Sequence, residues 1–347
     1  MLVLGIESSC DETAASLVES GRTIRANQVA SQIPVHARYG GVVPELASRN
    51  HIVELLPVIR ACVAEAGAAL ADIDGIAVAA GPGLVGSLLV GVEVAKGLAF
   101  GLGRPLVGVN HIEAHLMAPL IDYEGAEGLS GTPDFPFVGL IVSGGHTHLF
   151  RVEDVGRYAL IGSTRDDAAG EAYDKVAKMM GLPYPGGVQI DRAARRGDKA
   201  AIRFPRALPQ RDSFDFSFSG LKTSVLTHLK GLDATPDPES QAFADICASF
   251  QEAVVDVLVT KTFRAARQHK VNHVVISGGV SANSRLRERA LEVATSNGVA
   301  VHIPPIRLCT DNAAMIAGLG YHYLKGGSPG FDRFDLNASS SLPMGAR

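Results

Sequence analysis

The 347-residue sequence has little cysteine: Cys10, Cys62, Cys247 and Cys309 are all there is, and no two stand in C-x-x-C spacing. That excludes a disulfide framework and points to a reducing compartment, with the thiols packed as small apolar groups. Excess basic charge is lacking too. Against 36 acids stand 32 lysines and arginines, a net charge of −4, so no overall field holds nucleic acid. Any RNA contact must come from a local patch or from partner subunits. The N-terminus, Met1 to Glu7, has no basic stretch and meets an acid early, which excludes a secretory signal. Residues 75–92 carry no charge, but Gly81-Pro82-Gly83 divides them into a strand and a helix, each too short to cross a bilayer. What remains is 46% hydrophobic with 38 glycines, enough for a large core in a soluble α/β protein of two lobes.

Residues 2–6 read as a buried strand, Glu7 to Thr13 as a polar turn, and 14–18 and 23–29 as two more strands. Helical segments follow from 44 to 66 with a break at Pro57. A strand at 76–80, a Gly-Pro-Gly turn, a helix at 84–100, a strand at 106–109 and a helix from His111 complete the set. Past a loop rich in Gly, Pro and Glu at 123–136 the order returns. Strands at 137–142, 148–152 and 158–162 precede helices at 168–180, 188–196, 219–230 and 240–269. A strand at 273–276, a helix at 283–296, a strand at 300–303 and a helix at 312–324 follow. Three strands feeding βα units, used twice, is the plan of the actin, sugar-kinase and Hsp70 ATPase fold. Two lobes would hold a nucleotide in a central cleft, with the turns Ser8 to Thr13 and Ser143 to Thr147 pointing into it. The expected division is an N-terminal lobe over 1–125, on which the returning C-terminal helix packs, and a C-terminal lobe over 126–325 with a helical insertion at about 166–270. A weakly ordered tail covers 326–347.

In His111-Ile112-Glu113-Ala114-His115 a helix would stack the two imidazoles on one face, about one turn apart. That is the spacing of a clamp for a divalent metal, although core and solvated histidines share it. Glu113 points to the opposite side, unlike the base of an H-E-x-x-H metalloprotease. Asp311 opens the last helix and reads most simply as its N-cap. The repeat would also bring it opposite the histidines, making a two-histidine, one-carboxylate set with open positions, suited to Fe(II), Zn or Mn. Ser143-Gly144-Gly145-His146-Thr147 and Ser277-Gly278-Gly279-Val280-Ser281-Ala282-Asn283 both follow buried strands. Each is a bare turn or a backbone cradle for an anion. Asn283 caps a helix or binds adenine or ribose, and Asp174 is a solvated face residue or a ribose ligand. The basic run Arg192, Arg195, Arg196, Lys199, Arg203 and Arg206 is a solvated face or touches RNA phosphate. Phe216 to Thr223 reads as core packing with a helix cap.

Taken together, Ser8-Ser9-Cys10-Asp11-Glu12-Thr13, Gly41-Val42-Val43-Pro44-Glu45, Ala80-Gly81-Pro82-Gly83-Leu84, the histidine pair, the two SGG turns and the Phe216 block occur in an order that resembles the TsaD family of tRNA adenosine threonylcarbamoyltransferases, once called glycoproteases. The resemblance runs from residue 2 to about 325. It implies transfer of the threonylcarbamoyl group from threonylcarbamoyl-AMP to the N6 amine of adenosine 37 in tRNAs reading ANN codons, with release of AMP. It also implies one divalent metal per subunit, Fe2+ before Zn2+, on His111, His115 and Asp311. Substrate would lie on Ile141, Val142, Ser143, Gly144, Gly145, Asp174, Gly187, Asp191 and Asn283. Further implications are TsaB and TsaE as complex subunits, TsaC as supplier of the adenylate, a cytoplasmic location and no membrane. One departure is Ile141, where archaeal relatives carry a tyrosine ligand, which leaves a fourth ligand to Ser143, water or substrate.

A mixed carbamic-phosphoric anhydride already has a good leaving group. Its transfer needs orientation and stabilisation of developing negative charge more than a strong nucleophile. Asp11, on the first turn, is the candidate proton acceptor. The competing readings are an actin-like ATPase or small-molecule kinase with Mg2+ on carboxylates, a metalloprotease, and a nucleotide-binding scaffold without catalysis.

Overall fold

The computed structural model describes residues 1–122, 131–210, 212–326 and 334–344. They fall into two compact units. The first comprises Met1–Thr132, Val155–Tyr158 and Thr310–Arg347; the second comprises Pro133–Asp154 and Ala159–Cys309.

In the first unit β1 (Leu2–Glu7) pairs antiparallel with β2 (Glu12–Glu19), and β2 with β3 (Thr23–Ser31). On its other side β1 runs parallel to β4 (Gly75–Gly81), which runs parallel to β5 (Leu106–Asn110), giving the order β3-β2-β1-β4-β5. A short α1 (Ile33–His36) precedes α2 (Pro44–Glu65) and α3 (Val85–Leu102), and α4 (His111–Met117) follows β5 directly. One core holds Leu4, Ile6 and Leu17 of the sheet with Leu55 and Ile59 of α2 and Val92 and Ala95 of α3. Because both faces of β1 are covered, its residues from Val3 to Ile6 form an unbroken apolar run rather than an alternating one.

Two expectations about helices need correction. The 22-residue α2 continues through Pro57. A proline removes one backbone bond, and the burial of Leu55, Val58, Ile59 and Cys62 around it holds the helix together. The 18-residue α3 runs on to Leu102 and is long and apolar enough to cross a bilayer, so it is not too short, as the Gly-Pro-Gly break suggested. It lies on the sheet instead, with Leu88, Gly91, Val92, Ala95 and Ala99 buried along one stripe.

The second unit repeats the wiring. β6 (Phe137–Val142), β7 (Thr147–Asp154) and β8 (Arg157–Ser163) are followed by α5 (Ala169–Met179), α6 (Gly186–Ala194), α7 (Ser219–Lys230) and α8 (Gln241–Gln268). Then come β9 (His273–Ser277), α9 (Ser284–Asn297), β10 (Ala300–His302) and the short α10 (Ile306–Cys309). The sheet order is β10-β9-β6-β7-β8, with β6 and β9 parallel.

Chain order puts the last helix, α11 (Ala313–Lys325), in the second repeat, yet it belongs to the first unit and packs on β1, β2, β4 and β5. Its small residues explain why. A Cβ at Gly5 of β1 would collide with the Ala313 carbonyl oxygen and lie 2.7 Å from the Ala317 nitrogen, and one at Gly320 of α11 would collide with Ala77 of β4. Helix and strand backbones touch only because these Cβ atoms are missing. The described part of the tail is also ordered, contrary to expectation. Leu336 and Ala338 pack against the first core, and Ser339 N–H donates to the Ala80 carbonyl at 2.8 Å. The expected loop at 123–136 lies outside the described residues over 123–130, as does the tail over 327–333 and 345–347.

Gly5→Ala should therefore lift α11 off the sheet and destabilise the protein by about 2 kcal/mol, within the range of overpacked cores. A urea titration reads this as a lower midpoint at unchanged slope; an unmoved midpoint would contradict the close packing.

Candidate metal centre

Asn110, the last residue of β5, starts the histidine helix. Its Oδ1 accepts the N–H groups of Ile112 at 2.9 Å and Glu113 at 3.2 Å, capping α4. Its Nδ2 donates to the carbonyls of Leu342 and Pro343, so the C-terminal segment holds the cap in place. From α4 the two histidines project to one side, edge to face, with ring centroids 4.7 Å apart. Both are buried. On α11 the N-cap is Asn312, whose Oδ1 accepts Met315 N–H at 3.1 Å, and not Asp311 as the sequence suggested. Freed from capping, Asp311 places Oδ1 3.0 Å from His115 Nε2 and 3.5 Å from His111 Nε2.

These three donor atoms lie within 4.8 Å of one another. Donors about 2.1 Å from a shared ion stand roughly 3.0–3.4 Å apart, so two imidazoles and one carboxylate are spaced to grip one cation. Nδ1 of His115 is buried without a hydrogen-bond partner among the described residues, which leaves the lower end of that ring uncommitted. Glu113 points away, as its position requires, and accepts Tyr323 Oη at 2.7 Å, tying α4 to α11. It cannot serve as a protease base there.

Acids crowd the donor set. Glu7 Oε2 is 3.0 Å from His111 Nδ1, Ser9 Oγ is 3.2 Å from the same nitrogen, and Glu7 Oε1 accepts Ser9 N–H at 2.5 Å. Burial works against charge on His111, but the nearby carboxylates of Glu7 and Asp311 outweigh it and push the imidazole up to about 9. At His115, burial and the positive charge on His111 hold the ring below its ordinary value, against the pull of Asp311. Glu12 is pushed well above the usual carboxylate range, first by burial and then by the charges of Asp11 and Asp311. Asp11 itself is buried in the first turn.

The substrate positions expected from the resemblance all lie in the second unit. Ile141 and Val142 are fully buried at the end of β6, so only their backbone can meet a ligand. Ser143 N–H donates to the His146 carbonyl at 2.8 Å and closes the hairpin, leaving Gly144 and Gly145 at its exposed tip. Asp174 Oδ1 accepts Gly186 N–H at 2.8 Å at the start of α6, beside Gly187. Asp191 Oδ1 accepts Ser284 Oγ at 2.7 Å. Asn283 caps α9 through Leu286 N–H at 3.0 Å and donates its amide to Gln251 at 2.7 Å. Asp166 accepts Phe218 N–H and Ser219 N–H at the start of α7, and Phe216 and Phe218 are core. In the basic run, Arg195, Arg196 and Arg206 pair with Asp191, Glu239 and Asp256. A groove of about 750 Å³ lined by Arg203, Phe204, Pro205, Arg206 and Ser224 contains none of the expected site residues. Sequence reading missed Glu7 and Glu12, whose one signal was acidity next to an apolar strand.

The family model of TsaD, tRNA N6-adenosine threonylcarbamoyltransferase, matches residues 23–318. The chain belongs to the TsaD family. The tRNA N6-adenosine threonylcarbamoyltransferase of Anaeromyxobacter dehalogenans is 55% identical over 337 residues, 97% of each chain. That of Geotalea uraniireducens is 54% identical over 344 residues, 99% of this chain and 97% of its own. TsaD proteins form N6-threonylcarbamoyladenosine in tRNA, and this chain is a transferase of that family. Among solved structures, component A of the Acidaminococcus fermentans (R)-2-hydroxyglutaryl-CoA dehydratase is 17% identical with a TM-score of 0.54, over 94% of this chain and 99% of that one. HypF of T. kodakarensis is 16% identical with a TM-score of 0.61, over 94% of this chain and 48% of that one. At such identities the likeness is one of fold, and it is the duplicated actin-like ATPase fold that TsaD shares with them.

Zinc at about a thousand times its dissociation constant should raise the unfolding free energy by about 4 kcal/mol. Thermal melts of the wild type and of His115→Ala and Asp311→Ala check this: the wild type shifts upward on adding zinc and the variants do not. Equal shifts in all three would place the ion elsewhere.

Proposed function

We propose that this chain passes the threonylcarbamoyl group of threonylcarbamoyl-AMP to N6 of adenosine 37 in tRNAs reading ANN codons. The new bond joins N6 to the carbamoyl carbon; the bond from that carbon to the phosphate oxygen breaks, AMP leaves with the electron pair, and the amine loses a proton. The observation that carries the reading is the convergence of His111, His115 and Asp311 in a chain of the TsaD family. These three residues would hold one divalent ion, Fe2+ or Zn2+, which supplies Lewis acidity toward the carbamoyl oxygen. Asp11, buried in the turn after β1, is the proposed acceptor of the amine proton. In the second unit the backbone of Ile141, Val142, Ser143, Gly144 and Gly145, with Asp174, Gly187, Asp191 and Asn283, is the proposed holder of the adenylate. Gly144 and Gly145 support this, since a Cβ at either would meet nothing within 4 Å and amides there are open to an anion.

The proposed setting is the cytoplasm, with TsaB and TsaE as subunits and TsaC making the adenylate. Exposed apolar residues support a surface for a subunit. Ile52, Val53 and Leu56 are exposed on α2, and Val85 and Leu89 on the neighbouring α3, an apolar group of the kind that partners cover.

Depleting the protein should remove threonylcarbamoyladenosine from bulk tRNA, as read by nucleoside mass spectrometry, and the wild-type gene should restore it. His115→Ala should slow the reconstituted reaction about 10²-fold or more, as the loss of a charge-stabilising contact does in acyl transfer. Unchanged modification after depletion would remove the reading.

A further inference from the structure

We infer that Glu7 is a positioning residue for the metal centre: its carboxylate accepts a hydrogen bond from His111 Nδ1–H and so turns Nε2, with its lone pair, toward the cation. The inference rests on His111 being a metal ligand, as proposed above. The geometry is specific. Glu7 ends β1, is fully buried, and follows the apolar strand Leu2-Val3-Leu4-Gly5-Ile6. A carboxylate in such a place is costly unless its oxygens are bonded, and both are. Oε1 accepts Ser9 N–H at 2.5 Å and Oε2 lies 3.0 Å from His111 Nδ1. Ser9 Oγ lies 3.2 Å from the same nitrogen and steadies the ring. The other ring nitrogen, Nε2, is the one that faces Asp311 Oδ1.

An imidazole that binds a metal is neutral, with one nitrogen protonated and the other ligating. A carboxylate on Nδ1 decides which is which and also makes Nε2 a better donor. Losing such a partner typically weakens metal binding 10–100-fold. A merely structural Glu7 would instead stabilise the fold without choosing the tautomer.

Glu7→Gln separates the two roles because it keeps size and burial. The Ser9 N–H holds the amide oxygen, so the amide NH2 faces His111 Nδ1 and donates to it. The remaining imidazole proton is driven onto Nε2, which closes that atom to the cation. With the full-length chain and zinc alone, competition against a chromophoric chelator should show about 10–100-fold weaker binding for Glu7→Gln. The metal-free melting temperature reads any loss of fold separately from the loss of zinc affinity. A second readout needs no variant. In zinc-loaded wild type with 15N-labelled histidine, the His111 proton should correlate with Nδ1. Zinc affinity of Glu7→Gln within twofold of wild type, or a His111 proton on Nε2, overturns the inference while leaving the metal centre standing. A wild-type chain that takes up no zinc overturns the metal centre and this inference with it.

Discussion

The contact between α11 and β1 is the constraint on which the metal centre depends. The helix carries Asp311 just ahead of its cap, and the strand carries Glu7 at its end. How closely the two backbones approach sets whether one carboxylate reaches the histidines and the other supports them. Only hydrogen at Gly5 permits that approach, and Ala313 and Ala317 on the facing side of α11 offer no bulk against it. Packing tolerances of a single methyl group thereby become tolerances of ligand geometry, since a shift of about 1 Å is enough to spoil a coordination set. Tyr323, on the same helix, repeats the arrangement further along by bonding Glu113 of α4. The two helices that carry the donors are fixed to each other at both ends of their contact.

The same region concentrates negative charge in a chain that is close to neutral. Glu7 and Asp311 lie against the two imidazoles, Asp11 and Glu12 follow Glu7 a few residues along the chain, and Glu7 and Asp11 are buried. Buried acids so close together cannot all ionise without compensation. Without a cation, protons are the compensation favoured: the neighbouring carboxylates raise the His111 imidazole, and burial with the charges of Asp11 and Asp311 raises the Glu12 carboxyl. A divalent ion supplies the same compensation with a larger charge and fixed directions. The clustered acids therefore make the place attractive to a cation.

How much of this could be read from the residues depends on whether the signal was local. The histidine pair was legible because i and i+4 share a helix face whatever the helix packs against. The duplicated strand order was legible because buried strands and βα units leave periodic marks. Asp311 was recognised as a partner for the histidines, but its neighbour Asn312 took the capping role, a choice made by one residue of register that composition does not reveal. Glu7 went unnoticed because nothing in Leu-Gly-Ile-Glu says that a histidine more than a hundred positions later will lie against it. The persistence of α2 through Pro57 and the anchoring of Leu336 have the same origin. Each is decided by tertiary packing that overrides a local rule, not by the segment's own propensity.

The second unit is built on a different economy of side chains. Asp174, Asp191 and Asn283, the polar residues the family resemblance marks there, all hold neighbouring backbone or side chains in place. Such groups can meet a ligand with their remaining lone pairs, but their first task is to fix α6 and α9. The hairpin tip is different. Gly144 and Gly145 take no left-handed conformation, and a Cβ on either would touch nothing within 4 Å, so the fold itself does not demand glycine at these positions. Glycines that neither backbone angle nor crowding requires leave peptide groups uncovered. In a region whose side chains are already engaged, the peptide N–H groups of this tip are the natural donors to an anionic ligand. Recognition there would be by main chain.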